Sequence, residues 1–198
     1  MPSPKSNQKI RCGWSKAWDD PLYRDYHDDE WGVPIHDDRA IFEFLVLESF
    51  QAGLSWAIVL RKRENFRKAF AKFDPVKVAK FTAKDFKRLV NDADIIRNRM
   101  KIEAAINNAH RFLEVQKEFG TFAKYAWGFV GGKPMKNKWK TLKQLPAKTA
   151  LAEEWAADLK QRGFKFLGPT VIYAHMQATG MVNDHTVDCF RYREVCGL

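Results

Sequence analysis

Asp158-Leu159-Lys160-Gln161-Arg162-Gly163-Phe164-Lys165-Phe166-Leu167-Gly168-Pro169-Thr170-Val171-Ile172-Tyr173-Ala174-His175-Met176-Gln177-Ala178-Thr179 reads as helix, tight turn, helix. Gly163 can close the first helix, since glycine takes the left-handed conformation of a helix end at little steric cost. Gly168 can open the second, and Pro169 suits its first turn, where a missing N–H is no loss. Working upstream, apolar residues keep helical spacing and no convincing strand pair appears, so the chain is expected to be all-α.

The pattern looks like a helix-hairpin-helix element. Backbone N–H groups at the start of a helix can hold a phosphate without reading sequence. Lys160, Arg162 and Lys165 add charge nearby, and Gly163, Lys165, Gly168 and Thr170 are the candidate DNA contacts. An ordinary helix–helix turn has the same local features, so the pattern alone leaves both readings open. The 198 residues carry 34 Lys and Arg against 24 Asp and Glu, a formal net charge of +10. That excess favours a polyanionic partner, nucleic acid or an acidic membrane surface, and does not choose between them.

The first clear stripe upstream is Ile41, Phe44, Leu45, Glu48 and Ala52, preceded by Asp37 and Asp38 as N-terminal signals. A second helix is expected from Trp56 through Phe73 after Gly53, with Ser55 as its cap. A short one runs from Thr82 to Asn91, and a third stripe joins Ile102, Ala105, Ile106, Ala109, Phe112 and Leu113. Residues 130–148, with Gly131-Gly132, Pro134, Pro146 and six lysines, read as a mobile connection over the surface. The organisation expected is a flexible basic arm at 1–10, a single domain at 11–192 (or two packed helical lobes), and a tail at 193–198.

Hydrophobic residues make up 45%, enough for a real core. No stretch approaches the roughly 20 apolar residues of a membrane span, and the N-terminus has no apolar leader. A cytoplasmic location, nucleoid-associated in a bacterium, and a monomeric state are expected. The three cysteines, Cys12, Cys189 and Cys196, argue against a disulfide framework. His185 and Cys189 stand at i and i+4, one face of a helix, and Cys12 and His27 lie far upstream. The four could close a structural zinc site, though His36, His110, His175 and Cys196 compete on spacing alone.

Read together, the longer motifs resemble a known family. Arg11-Cys12-Gly13-Trp14, Asp20-Pro21-Leu22-Tyr23, and Tyr26-His27-Asp28-Asp29-Glu30-Trp31-Gly32-Val33-Pro34 resemble the opening of DNA-3-methyladenine glycosylase I, the Tag family. Leu47-Glu48 with Gln51-Ala52-Gly53-Leu54-Ser55-Trp56 is similar to its central motif. Arg63-Glu64-Asn65, Phe73-Asp74-Pro75, Arg162-Gly163-Phe164-Lys165-Phe166 and Val182-Asn183-Asp184-His185 extend the likeness from Arg11 to Cys189. The resemblance implies a helix-hairpin-helix glycosylase-like fold and a structural zinc held by Cys12, His27, His185 and Cys189, fastening the N-terminal segment to the C-terminal one. It also implies a base pocket of Trp14, Tyr23, Tyr26, Glu48 and Trp56.

Chemistry then follows from residue types. Glu48 lies on a core-facing stripe, where a carboxylate is costly without partners. A structural glutamate is the plain alternative to a catalytic one that accepts hydrogen bonds from an extruded base. N3-alkylation makes adenine cationic, so it departs as a neutral purine and no strong general acid is needed. Aromatic walls suit both stacking and a cation. Where many helix-hairpin-helix glycosylases carry an aspartate two residues before a histidine, this chain has Asn183; Asp184 is the residue that could take its place. No lysine occupies the Schiff-base slot of bifunctional relatives, so a monofunctional hydrolase acting on double-stranded DNA, releasing 3-methyladenine and sparing 7-methylguanine, is expected. Gly53 and Leu54 are the candidate turn and wedge that fill the gap left by the base. Two rivals stand beside this: a non-catalytic helix-hairpin-helix DNA-binding module, and a zinc-stabilised interaction protein.

Overall fold

The computed structural model describes residues 9–13 and 18–197. Ten helices occur among them: α1 Pro21–Asp25, α2 Asp38–Gln51, α3 Trp56–Ala69, α4 Pro75–Ala79, α5 Ala83–Asn91, α6 Arg99–Phe119, α7 Phe122–Gly128, α8 Ala150–Gln161, α9 Pro169–Ala178 and α10 Phe190–Cys196. A π-helical turn, Tyr26–Glu30, follows α1 directly. No described helix is long and apolar enough to cross a membrane.

The centre is α2. Every residue from Ile41 to Phe50 is buried, so this helix is covered all round. It touches α3, α6, α7 and α9. Asp37 caps it, its carboxylate accepting from the Ala40 N–H at 2.8 Å. The next residue works elsewhere: Asp38 accepts from the Phe122 and Ala123 N–H groups and so caps α7. One apolar core runs from Ile41 to Val182. A smaller cluster of Cys12, Tyr26, Trp31, Phe44, Leu60, Ala178 and Cys189 lies beside it.

Several expectations change. The helix beginning at Trp56 stops at Ala69, and Ser55 stands at its N-cap without a side-chain cap bond. Ala71, Lys72 and Phe73 then take φ of 51°, 56° and 54°, a left-handed turn that leads into α4 with Phe70 and Phe73 both buried. A strand pair does exist: Met135–Lys136 (β1) runs parallel to Val182–Asn183 (β2). Two residues are too few to leave a periodic pattern in the sequence. The pair also anchors the Lys-rich segment read as a mobile connection. Trp139 donates to Asp184, the Val187 N–H donates to the Trp139 carbonyl, and Leu142–Gln144 form a 3₁₀ turn. The stretch from His185 to Cys189 is a turn, with Cys189 as N-cap of α10, so the helical-face argument for that pair does not hold. Residues 193–196, read as tail, belong to α10, with Val195 buried. Most of the expected N-terminal arm, and Trp14, lie outside the described residues.

The α8–α9 hairpin is held against α6. Asn108 donates to the Lys165 carbonyl and accepts from the Lys165 N–H, both at 2.8 Å. Asn107 donates to the Gly163 carbonyl. Gly180 (φ +70°) is tight for another reason: a Cβ there would lie 2.4 Å from the Val33–Pro34 backbone. This contact seats the end of α9 against the segment after the π turn.

Candidate active site

A cavity of about 310 Å³ opens between the α1–π segment, α2, the N-terminus of α3, α9 and the 3₁₀ turn's Leu145. Tyr23, Tyr26, Trp31 and Trp56 supply aromatic surface, and Glu48, Gln51 and Gln177 the polar groups. Thus Tyr23, Tyr26, Glu48 and Trp56, expected in one pocket, do converge there. The Tyr26 and Trp56 rings sit 5.3 Å apart at 45°. The indole N–H of Trp56 is buried and has no partner among the described residues.

Glu48 points inward from α2 and is 3% exposed. Its Oε2 lies 3.0 Å from His175 Nδ1 of α9, itself fully buried. No described residue donates to Oε1. Burial pushes the Glu48 carboxyl well above the usual carboxylate range and pushes His175 down to about 3. Burial, then the Glu48 charge, raises Tyr26. The imidazole is therefore neutral, and the bond between the pair depends on a single proton lying between Oε2 and Nδ1. His175, weighed in the sequence only as a competing metal ligand, is the functional residue that sequence reasoning missed. Only the packing of α9 on α2 brings it to Glu48 across 127 positions.

The other carboxylate in question is occupied. Asp184 accepts from Asn137 Nδ2, Trp139 Nε1, Tyr173 OH and Gln177 Nε2, at 2.5 to 2.7 Å. Asn183 is turned to the C-terminal helix, donating to the Tyr192 carbonyl and to Cys196 Sγ and accepting from the His185 N–H. Neither residue lines the cavity.

Cys12, His27, His185 and Cys189 are all buried, with one ligand atom from each within 4.8 Å of every other. Cys12 Sγ is 3.4 Å from His185 Nδ1, and Cys189 Sγ is 3.6 Å from both His185 Nδ1 and His27 Nε2. Tetrahedral zinc, at bond lengths of about 2.0 to 2.3 Å, sets such ligands roughly 3.3 to 3.8 Å apart, so the residues fit that ion. The outer nitrogens are engaged as metal-bound imidazoles require. His27 Nδ1 meets Asp28, which Arg11 holds, and His185 Nε2 meets the Trp31 carbonyl. Hydrogen bonding from Cys12, and then from the two histidines, pulls the Cys189 thiol well down against its burial. The same bond and burial push Cys12 up.

On the remaining candidate positions, Gly53 has φ +85° and open space about it, and Leu54 beside it is 40% exposed in the turn between α2 and α3. Gly163, Lys165, Gly168 and Thr170 are exposed along the hairpin. The Lys165 N–H is already used by Asn108. Arg162 is tied to Asp158 and Glu118, so it is not the free cation that the sequence suggested.

Comparison with known proteins agrees with this geometry. The family model described as methyladenine glycosylase matches residues 14–192. DNA-3-methyladenine glycosylase 1 of Escherichia coli strain K12 is 49% identical over 182 residues, covering 92% of this chain and 96% of the relative. A crystal structure of 3-methyladenine DNA glycosylase I superposes with a TM-score of 0.87 at 47% identity, covering 91% of this chain and 98% of the other. A variant of such an enzyme in complex with 3-methyladenine gives 0.84 at 40% identity, covering 86% and 92%. With most of its length matched by the model and by these relatives, the chain belongs to the methyladenine glycosylase family.

Proposed function

We propose that this protein is a DNA-repair N-glycosylase that hydrolyses the bond between 3-methyladenine and deoxyribose in alkylated DNA, leaving an abasic site. The observation that carries this is a buried glutamate with one oxygen engaged by His175 and the other without a donor among the described residues, on an aromatic cavity large enough to admit a nucleobase. A flipped base stacks on Tyr26 and Trp56, and its exocyclic amino group donates to Glu48. Contact with that donor and with a cationic ring favours the ionised carboxylate that burial alone disfavours.

The leaving group is already activated by its positive charge, so catalysis needs orientation and charge stabilisation more than proton donation. The commitment of Asp184 to four donors and of Asn183 to the C-terminal helix supports a mechanism without a carboxylate at that place. Selectivity follows from the base edge. Adenine offers an amino donor where 7-methylguanine offers a carbonyl, which an ionised Glu48 repels; an unpaired buried acceptor costs about 1–3 kcal/mol.

The duplex is held by the α8–α9 hairpin, acting as a helix-hairpin-helix element, and Leu54 fills the space that the base vacates. Cys12, His27, His185 and Cys189 hold one zinc. Four protein ligands leave it no open position, so its contribution is to stability, joining the segment before α1 to the start of α10. Metal analysis tests this: wild type carries one zinc and Cys189→Ser loses it, while equal content in the two rules the site out. The function is tested by chromatography of bases released from methylated DNA. Wild type releases 3-methyladenine with little 7-methylguanine; release of neither base favours the non-catalytic binding module.

A further inference from the structure

We propose that Lys101, on α6, is a positioning residue for DNA opening: its buried ammonium clamps the end of α2 and thereby fixes the turn that presents Leu54. The proposal rests on the base-excision reading above.

Lys101 is 6% exposed, and its Nζ donates to two backbone carbonyls, Phe50 at 2.9 Å and Ala52 at 2.6 Å. These belong to the last turn of α2, whose terminal carbonyls have no partner within the helix. The chain leaves there through Ala52 (φ −47°, ψ 114°) and Gly53, and the Leu54 N–H donates to the Gln51 carbonyl at 2.6 Å. Leu54 is left exposed and Trp56 enters the cavity.

The placement goes against the local rules for Lys101's own helix. It lies in the first turn of α6, next to the capping Asn98, where the helix dipole disfavours a cation. Its burial also costs desolvation and lowers its pKa. Only the C-terminal end of α2 offsets both penalties, since a cation is favoured there. A residue placed against local preference for the sake of one distant contact points to a demand on that contact. Here the demand is mechanical. A wedge driven between base steps must not recoil, and a turn built on a left-handed glycine has little stiffness of its own. Lys101 does not line the cavity, and its ammonium bonds the Phe50 and Ala52 carbonyls rather than Glu48, Gln51, Trp56 or any other cavity group, so the clamp is assigned to entry of DNA rather than to grip on the free base.

The test compares wild type, Lys101→Met, Lys101→Arg, Leu54→Ala and the double variant Lys101→Met/Leu54→Ala. Two affinities are read: for a duplex carrying a tetrahydrofuran abasic analogue, and for free 3-methyladenine by tryptophan fluorescence. Lys101→Met is expected to lose about tenfold for the duplex while keeping the free base within about twofold. Lys101→Arg, which keeps charge and donors, restores most of the loss. The double variant binds the duplex no worse than Lys101→Met, because the lysine acts through Leu54. Should Lys101→Met not fold, Lys101→Gln, which keeps a donor on a shorter stem, is read the same way. Unchanged duplex affinity overturns the clamp, as do equal losses for both ligands or full additivity with Leu54→Ala. A wild type that does not prefer the abasic duplex to an undamaged one overturns the base-excision reading, and the clamp with it.

Discussion

Two buried carboxylates stand at opposite extremes of satisfaction. Asp184 accepts four hydrogen bonds, from β1's neighbour Asn137, from Trp139, and from Tyr173 and Gln177 of α9. Among the described residues Glu48 has His175 alone, and its side chain borders a cavity. Burial penalises both charges, but only the aspartate is compensated by the protein itself. The lesson is that a buried carboxylate with every lone pair engaged holds the fold, whereas one left short of partners is waiting for a ligand. Asp184 ties the Lys-rich segment to α9; on the function proposed above, Glu48 completes its bonding when a base arrives.

This contrast makes predictions. The largest effect falls on stability at Asp184. Asp184→Ala strands several donors at about 1–3 kcal/mol each, so urea unfolding should register a loss of roughly 3–5 kcal/mol. A loss below about 1 kcal/mol would break the comparison. Glu48→Gln keeps the shape and, at a pH near the ordinary glutamate range, should change stability by less than about 1 kcal/mol. It should nonetheless slow 3-methyladenine release by about 100-fold or more, near 2.7 kcal/mol of transition-state stabilisation. Full activity in single-turnover assays would reassign Glu48 to structure.

The pH dependence sharpens the point. The folded state raises Glu48's pKa and so keeps a proton that the unfolded chain releases. The resulting stabilisation is complete below the ordinary glutamate range, and it is lost as pH rises through the folded value. The stability of wild type relative to Glu48→Gln should therefore decline with rising pH, by at most about 1.4 kcal/mol per pH unit. His175, held down to about 3 by burial, weakens the fold as pH falls below the ordinary histidine range; because it is bonded to Glu48, the paired difference reports on the pair rather than on the carboxyl alone. A flat difference across pH 4 to 8 in paired denaturation series would show that folding does not raise the Glu48 carboxyl. The smallest effect is expected at Trp139→Phe, which removes one of Asp184's four donors and should cost about 1 kcal/mol.

What could be read from the sequence follows the range of the contacts. The stripe from Ile41 to Ala52 gave α2 and the inward direction of Glu48, because helical periodicity is local. The Gly163 to Pro169 punctuation gave the hairpin for the same reason. The convergence of Tyr23, Tyr26, Glu48 and Trp56, and that of the two cysteines and two histidines, were legible through long motifs rather than through spacing. Indeed, the spacing argument for His185 and Cys189 assumed a helix where there is a turn. The partner of Glu48, the clamp on α2 and the two-residue ladder were not legible. His175, Lys101 and Met135 each meet their partners across many positions, and none leaves a mark in its own neighbourhood. The Lys-rich segment misled for a related reason: its composition records exposure to solvent, while Asn137 and Trp139, which fasten it to Asp184, are too few to mark the contact.

The π-helical turn from Tyr26 to Glu30 has a consequence for how this chain can change in length. Such a turn amounts to an α-helix carrying one surplus residue. Tyr26 lines the cavity, while His27, its immediate neighbour, points to the cysteine–histidine quartet. Glu30, at the end of the turn, is ion-paired to Arg63 of α3 at 2.5 Å. Removing the surplus residue would restore a regular α-helix and swing each side chain before it by about 100° relative to those after it. One deletion would then misdirect the aromatic wall and the quartet's histidine together. Insertions and deletions in this stretch are therefore barred by geometry, whatever residue types they bring, and length variation must collect elsewhere in the chain.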